Sequence, residues 1–415
     1  MVSFAAPFIR RYGPPVFFFA CVFLYVRETI VRVVPALAGP SDFLVYQQGA
    51  VQVVNGNSPF TAVRYFYPPL LALLLTPIAR LDYVVGRWLW FLFSQLCLLG
   101  SAWLLWRFLG RDWTAACIIA LVWATGGAAF ENLYLGQLGP QLLLLFVLAY
   151  TRTGWFQGSA LGLAAALKVF PGLAAAALLL APSRRAFVSF IVAAAALSAI
   201  PWIIVVAALS GPRKPVGESF VAGTPAILSW SLPSVALRAL DPPREGMPFP
   251  RNWEIGNDAP SLQLPLRDRV VSLSVAAVTF FGGTALVFFT TRGRLSSAGV
   301  PWAMAAFVAL SLASLPYAWT HYQLFQYPAV AMLLCYLWRS RRWGLGAFVL
   351  VCGALLYPLP VAVLRRYYEQ RGGSWAPAAP VTLFFWTSVA PLASLALFGV
   401  LNRMKNESYL MDSRR

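Results

Sequence analysis

Three ionisable residues border or interrupt long apolar stretches of this chain, and their side chains could act together in a reaction. Asp42 follows the first apolar stretch, Lys168 ends an Ala- and Leu-rich run, and His321 is the only histidine. A carboxylate can act as a general base that removes a proton from an attacking hydroxyl. A lysine can bind an anionic phosphate as a point charge, and a histidine can contact a phosphate or relay a proton.

Each of these residues also has a purely structural interpretation. Asp42 could cap a helix or lie in a loop, and His321 could be an interfacial histidine that is bonded to the backbone. Lys168 could extend its ammonium group from a helix end to the membrane surface. A lysine inside an apolar run is costly in a bilayer, so we expect Lys168 to face a cavity or a partner.

A polar turn from Glu131 to Gln137 separates two apolar stretches and offers two side-chain amides. Asn132 and Gln137 each carry a donor and an acceptor that suit the hydroxyls of a sugar. The alternative is a simple connecting loop, and the local sequence does not separate the two interpretations.

Several common catalytic and metal-binding patterns are missing from the chain. It contains no phosphate-binding loop of the form GxxxxGK[ST], no GxSxG and no Asp-x-Asp pair. A single histidine excludes a histidine-rich metal site. We therefore predict a reaction that needs no metal and no other cofactor.

The composition indicates a membrane protein. Hydrophobic residues make up 60% of the chain and charged residues 11%, and the five cysteines all lie in apolar stretches without metal-type spacing. The formal net charge of +18 would suggest nucleic-acid binding in a soluble protein. In a membrane protein it is explained by basic inner loops and anionic lipid, so we predict membrane lipids and no nucleic acid as partners.

The distribution of arginine and lysine predicts an all-α bundle of about twelve transmembrane helices, with both termini inside. The predicted spans are 15–36, 84–107, 113–129, 137–151, 157–170, 172–183, 186–210, 269–291, 299–316, 320–339, 343–364 and 380–402. The fifth and sixth are short and meet at Pro171, which predicts a broken or re-entrant pair.

Two longer segments are predicted on the outer side of a single domain that covers residues 1–415. The first, 37–83, is a large loop that contains Asp42 and a Pro-rich apolar stretch from Tyr67 to Leu81, which we interpret as an interfacial helix. The second, 211–268, is rich in Pro, Gly, Trp and arginine. Its many cations are a weak indication of an anionic substrate on that side.

Six short motifs, spread in order over roughly residues 40–330, resemble glycosyltransferase family 87. They are Ser41-Asp42-Phe43-x-x-Tyr46, Gly56-Asn57-Ser58-Pro59-Phe60, Tyr67-Pro68-Pro69-Leu70-Leu71-Ala72-Leu73, Leu135-Gly136-Gln137, Ala166-Leu167-Lys168-Val169-Phe170-Pro171, and Ser314-Leu315-Pro316 through His321-Tyr322. The chain departs from the family at Ser229-Trp230-Ser231-Leu232, where an Asn-Gln-Ser-Leu-like stretch is expected, so we assign that segment no role.

The resemblance implies a GT-C type bundle that acts in the plasma (inner) membrane, with its active site on the outer, periplasmic side. It implies inverting transfer of a sugar from a polyprenyl-phosphate donor to a hydroxyl of an envelope glycolipid or glycan. Known members are mostly mannosyltransferases, with some arabinofuranosyltransferases, so mannose is the predicted sugar. Asp42 becomes the catalytic base, and Lys168 and His321 become donor- or acceptor-binding residues. Tyr46, from the first motif, joins Asn132 and Gln137 as a candidate substrate-binding residue.

Two other functions remain as alternatives. A lipid or glycan transporter would have pseudo-symmetric halves with ionisable groups at mid-membrane, whereas most charges here lie at the ends of the spans. A glycan polymerase or ligase that uses a diphosphate-linked donor would be expected to present an outer loop rich in arginine and histidine. Segment 211–268 has the arginines but no histidine.

Overall fold

The computed structural model describes residues 2–63, 65–213, 229–240, 265–291, 295–316, 318–369 and 380–407. Every regular element in these ranges is helical, and extended backbone pairs only at two isolated bridges. The predicted all-α class is therefore confirmed for the described residues. Most of the predicted second outer segment, 211–268, lies outside them.

Sixteen α-helices account for most of the described chain. The first eight are α1 (Val2–Glu28), α2 (Asp42–Val54), α3 (Pro69–Leu74), α4 (Tyr83–Phe108), α5 (Trp113–Thr125), α6 (Ala128–Leu135), α7 (Gly139–Thr151) and α8 (Trp155–Leu167). The others are α9 (Arg185–Ala208), α10 (Leu232–Leu240), α11 (Leu266–Thr290), α12 (Gly299–Ser314), α13 (Tyr327–Arg339), α14 (Trp343–Leu356), α15 (Pro358–Glu369) and α16 (Pro380–Glu407).

The number of membrane spans differs from the prediction. Among the described residues, four helices are long and apolar enough to cross a membrane: Tyr83–Phe108, Arg185–Ala208, Leu266–Thr290 and Phe384–Asn406. Two bent helix pairs raise the number to six. A helix rises about 1.5 Å per residue, so a 13-residue helix such as α7 covers roughly 20 Å of a hydrocarbon core that is about 30 Å thick. The prediction of about twelve spans is therefore not confirmed.

A bend of 54° between α5 and α6 turns the chain across one end of the bundle. It occurs at Gly126 and Gly127, where an added Cβ would overlap the aromatic rings of Tyr327 and Tyr357, respectively. The two glycines let distant tyrosines pack directly against the backbone. The bend carries α6, with Glu131 and Asn132, to the end of the bundle where α2 begins.

Helix α12 is the centre of the bundle. All sixteen of its residues are buried, and it packs against α16, α13 and the 3-10 helix Phe170–Leu180. A helix that is apolar on every side and enclosed by others is typical of a core position. Its carboxyl end leads directly into the 3-10 helix Thr320–Gln326, which contains His321.

The predicted first outer loop, 37–83, is largely helical. It contains α2 and α3 and two 3-10 turns, Pro59–Thr61 and Thr76–Ile78. The Tyr65 hydroxyl donates to the carbonyl of Pro68 and accepts from the amide of Ala72, which fixes the start of α3. Burial raises the pKa of Tyr65 well above its usual value, so this hydroxyl remains a donor.

The end of the bundle opposite to α2 is rich in arginine. Arg339, at the end of α13, donates to the carbonyl of Leu109 and lies 2.7 Å from the carboxylate of Asp112. Arg107 and Arg111 lie in the same α4–α5 connection, and Arg341 and Arg342 follow α13. The structure thus joins two basic clusters that the sequence predicts on one side of the membrane.

Candidate active site

Asp42 is the first residue of α2. The preceding Ser41 is extended and occupies the N-cap position, so Asp42 is not the cap that the structural interpretation proposed. A carboxylate in the first turn interacts favourably with the helix dipole. The Asp42 side chain is half-buried and therefore remains accessible.

Gln137 and Tyr46 hold the Asp42 carboxylate from the buried side. The Gln137 side-chain nitrogen donates to Asp42 Oδ2, and the Tyr46 hydroxyl donates to Gln137 Oε1 over 3.1 Å. The same hydroxyl lies 3.1 Å from the hydroxyl of Tyr67. Because Tyr46 and Gln137 are almost fully buried, they are placed to orient the carboxylate. Their predicted contact with substrate stays a prediction.

Lys168 lies where α8 ends, with its backbone in an extended conformation. Its ammonium nitrogen lies 4.2 Å from the centre of the Tyr322 ring and 5.5 Å from that of Tyr67. Phe170 stacks on Tyr322, with ring centres 5.3 Å apart. Cation–π contacts therefore hold the ammonium group beside the two tyrosine rings, within electrostatic range of Asp42.

His321 lies in the connection between α12 and α13, close to Tyr322 and Lys168. It is buried, its backbone carbonyl accepts a hydrogen bond from Asn132 over 2.8 Å, and its ring meets the edge of Tyr322. Its side chain lies within electrostatic range of Lys168, and its Nε2 has no partner among the described residues.

Asn132 lies in helix α6 and not in the simple loop that the sequence allowed. Its side-chain nitrogen donates to the carbonyls of Ala128 and His321, and the residue is 1% exposed. The neighbouring Glu131 accepts a hydrogen bond of 2.6 Å from Thr320. Both contacts fasten α6 to the segment that carries His321. The predicted role of Asn132 in binding sugar stays a prediction.

The segment Ser229-Trp230-Ser231-Leu232, which departs from the family pattern, contacts the backbone just before His321. Ser229 and Trp319 form an antiparallel bridge, and the amide of Trp230 donates to the carbonyl of Ala318 over 2.6 Å. Trp230 and Arg238 are fully buried, and Arg238 donates to the carbonyl of Ser229. Ser229 and Trp230 thus fix the chain that leads into His321.

Sequence reasoning missed Arg87 and the ring contacts of Tyr67 and Tyr322. Arg87 is a fully buried arginine near the start of α4, within electrostatic range of Asp42. Its position at the edge of an apolar span resembles that of a flanking residue. The cost of burying a charge, which pointed to Lys168, is a signal that could have identified it.

The candidate site combines a half-buried aspartate, a half-buried lysine and a buried histidine. These groups suit proton abstraction and the binding of an anion. Among the residues that the structure describes, no three His, Cys, Asp or Glu side chains are grouped as they would be to hold a metal ion.

No curated protein matches the chain. A family model does match: that of glycosyltransferase family 87, over residues 65–211, which is less than half of the 415 residues. The matched segment includes Lys168, Asn132 and Gln137. Asp42 and His321 lie outside it and are connected to it by the contacts described above. The match confirms, for that segment, the resemblance that the motifs indicate.

Proposed function

We propose that the protein transfers mannose, with inversion, from a polyprenyl-phosphate donor to a hydroxyl of an envelope glycolipid or glycan on the outer face of the plasma membrane. The observation that supports this proposal is that Asp42 and Lys168, both half-buried, lie within electrostatic range of each other. One group suits the acceptor hydroxyl and the other suits the phosphate of the donor. The sugar, donor and acceptor follow from the family resemblance.

Asp42 acts as the general base in this proposal. The acceptor oxygen attacks the anomeric carbon from the face opposite to the phosphate, and Asp42 takes the hydroxyl proton. A new carbon–oxygen bond forms as the bond between the anomeric carbon and the phosphate oxygen breaks. A β-linked donor then gives an α-linked product. Gln137 keeps the carboxylate aimed at the acceptor.

Lys168 and His321 meet the donor phosphate. The polyprenyl phosphate leaves as an anion, so no acid is needed to protonate it, and a preorganised cation stabilises the charge that develops. Lys168 is held in place by Tyr67 and Tyr322, and the free Nε2 of His321 offers a further contact. A monophosphate leaving group makes a metal ion dispensable.

The orientation in the membrane is supported by the distribution of arginines. The end opposite to Asp42 carries Arg107, Arg111, Arg339, Arg341 and Arg342. Basic loops face the cytoplasm by the positive-inside rule, which supports an outer position for Asp42. There the donor's lipid tail stays in the bilayer while its sugar phosphate reaches Lys168.

The proposal is tested with purified protein in lipid vesicles that receive radiolabelled sugar donors. We expect transfer from polyprenyl-phosphate mannose to a lipid acceptor, and linkage analysis should show an α-bond. Transfer from a diphosphate-linked glycan would favour the polymerase or ligase alternative. Movement of labelled lipid between leaflets without any product would favour the transporter. Either result would overturn the proposal.

A further inference from the structure

We infer that Arg87 is a positioning residue for Asp42: it fixes the turn that carries Gln137 and supplies a second positive charge beside the carboxylate. This inference rests on the proposed function, in which Asp42 is the base. Arg87 is fully buried, so its effect on the reaction passes through Asp42 and Gln137.

The guanidinium of Arg87 binds the end of α6. Its Nη2 donates to the carbonyl of Leu133 over 2.6 Å and to that of Tyr134 over 3.0 Å. The last carbonyls of a helix have no partner within the helix, and a cation there also interacts favourably with the helix dipole. Arg87 therefore anchors α6 where it turns toward Gln137.

Trp90 holds the same turn one helical turn further along α4. Its indole nitrogen donates to the carbonyl of Gly136 over 3.0 Å. Gly136 has a φ of +69°, and a Cβ added to it would lie 3.1 Å from Arg87 Cζ and 3.1 Å from Ser41 Oγ. The glycine lets the turn fit between α4 and the start of α2. Gln137, the next residue, is thereby delivered to Asp42.

Charge is the second contribution of Arg87. The charged and titratable groups that face Asp42 are Arg87 from α4, Lys168 from the end of α8 and Tyr46 from α2, with Tyr67, Tyr83, Tyr322 and His321 around them. A nearby positive charge favours the ionised form of a carboxylate. Lys168 is partly exposed and binds the phosphate, whereas the fully buried Arg87 keeps its charge beside Asp42 throughout the reaction.

The test compares Arg87→Met, Arg87→Lys and Trp90→Phe by measuring kcat, the KM for polyprenyl-phosphate mannose, and the pH profile. Arg87→Met removes both contributions, so we expect kcat to fall roughly 10²-fold and the acid limb of the profile to move up by about one pH unit. Arg87→Lys keeps a charge without the two-carbonyl contact, so the limb should stay while kcat falls about 10-fold. Trp90→Phe should lower kcat without moving the limb.

The donor KM should change less than threefold or so in all three variants, because none of these side chains touches substrate. An acid limb that does not move in Arg87→Met, or that moves equally in Trp90→Phe, overturns the inference. If Arg87→Met does not fold, Arg87→Lys is compared with Trp90→Phe. A similar loss of kcat in both folded variants, with the acid limb of the pH profile unchanged, supports the anchoring role of Arg87. A wild-type kcat in both variants overturns it. Wild-type protein that is inactive with every donor refutes the proposed function instead.

Discussion

Lys168 and Asp42 show how single charges are kept usable inside an apolar bundle. Each is half-buried, and each is held by neutral partners: two tyrosine rings for the lysine, and a glutamine amide for the carboxylate. These neutral partners fix the geometry, while the charges of Arg87 and Lys168 lie within electrostatic range of the carboxylate. A carboxylate or guanidinium that formed a closed ion pair would be less available to substrate.

The role of Lys168 is tested by Lys168→Met. Because the lysine is the cation nearest to the predicted leaving group, its loss should lower kcat/KM by roughly 10²-fold, while Lys168→Arg should keep part of the activity. Lys405→Met is the matched control: Lys405 is a buried lysine in α16 that bonds to Thr290 over 2.7 Å, far along the chain from the site motifs. It should lower thermal stability but leave the donor KM unchanged. Equal kinetic losses in both variants would remove Lys168 from the site.

Metal independence is a second prediction at the residue scale. Product formation should be unchanged after exhaustive treatment with EDTA, because side-chain cations meet the charge of the leaving phosphate. The measurement is the rate of transfer with and without added Mg²⁺ or Mn²⁺. If EDTA stops the reaction and one of these ions restores it, Asp42 must be reconsidered as a metal ligand.

The candidate reactive residues could be predicted from the sequence for a physical reason. In a chain with 11% charged residues, a lysine inside an apolar run or a lone histidine is conspicuous because a bilayer penalises it. The contacts that position these residues could not be predicted from the sequence. That Gln137 would bind a carboxylate and Asn132 a backbone carbonyl 189 positions away depends on how the helices pack.

The turn between α6 and α7 connects the helices that form the candidate site. It receives Arg87 and Trp90 from α4 and presents Gln137 to α2. Hydropathy located the surrounding helices well: α4 spans 83–108 against a predicted 84–107, and α7 ends at 151 as predicted. The bend at Gly126 and Gly127 could not be predicted, because the tyrosines that enforce it come from α13 and from the connection before α15.

Gly136→Ala tests whether this turn positions Gln137. A side chain there meets Phe43, Arg87 and Ser41 and also strains a left-handed backbone, so we expect at least 10-fold lower transfer and a lower Tm. Gly56→Ala is the control, because Gly56 has a φ of +77° with no atom within 4 Å of an added Cβ. It should lose roughly 1–2 kcal/mol from backbone strain alone. Equal activity in the two variants would show that the turn does not position Gln137.

At the scale of the whole molecule, two ends of opposite character define the protein. One end of the bundle contains the candidate site and α2, and the opposite end contains the arginines around Asp112 and Arg339. The basic clusters were readable from the sequence, whereas the number of spans was not. Helices of 13 to 16 residues, such as the buried α12, have the hydropathy of spans but are short for a membrane crossing, so the prediction of about twelve spans is not confirmed.

The orientation is tested with single cysteines and a membrane-impermeant maleimide on intact cells. Val63 is 76% exposed in the segment that follows α2, and Ser340 is exposed at the arginine-rich end. We expect Val63→Cys to be labelled from outside and Ser340→Cys only after the membrane is opened. The native cysteines give low background, since Cys21, Cys97, Cys335 and Cys352 are buried and Cys117 is partly so. The reverse pattern would place the candidate site in the cytoplasm.

Asp42 is proposed as the base for transfer from a polyprenyl-monophosphate sugar, and a single-turnover assay of Asp42→Asn tests this role most directly. Asparagine keeps the size of the side chain and an oxygen that can accept from Gln137, but it cannot take a proton. We expect purified Asp42→Asn to fold and to bind donor as the wild type does, while its transfer rate falls by 10²- to 10⁴-fold or so. Asp268→Asn, at a carboxylate 3.0 Å from its neighbour Arg267, should transfer at the wild-type rate. Near-normal transfer by folded Asp42→Asn would contradict the account.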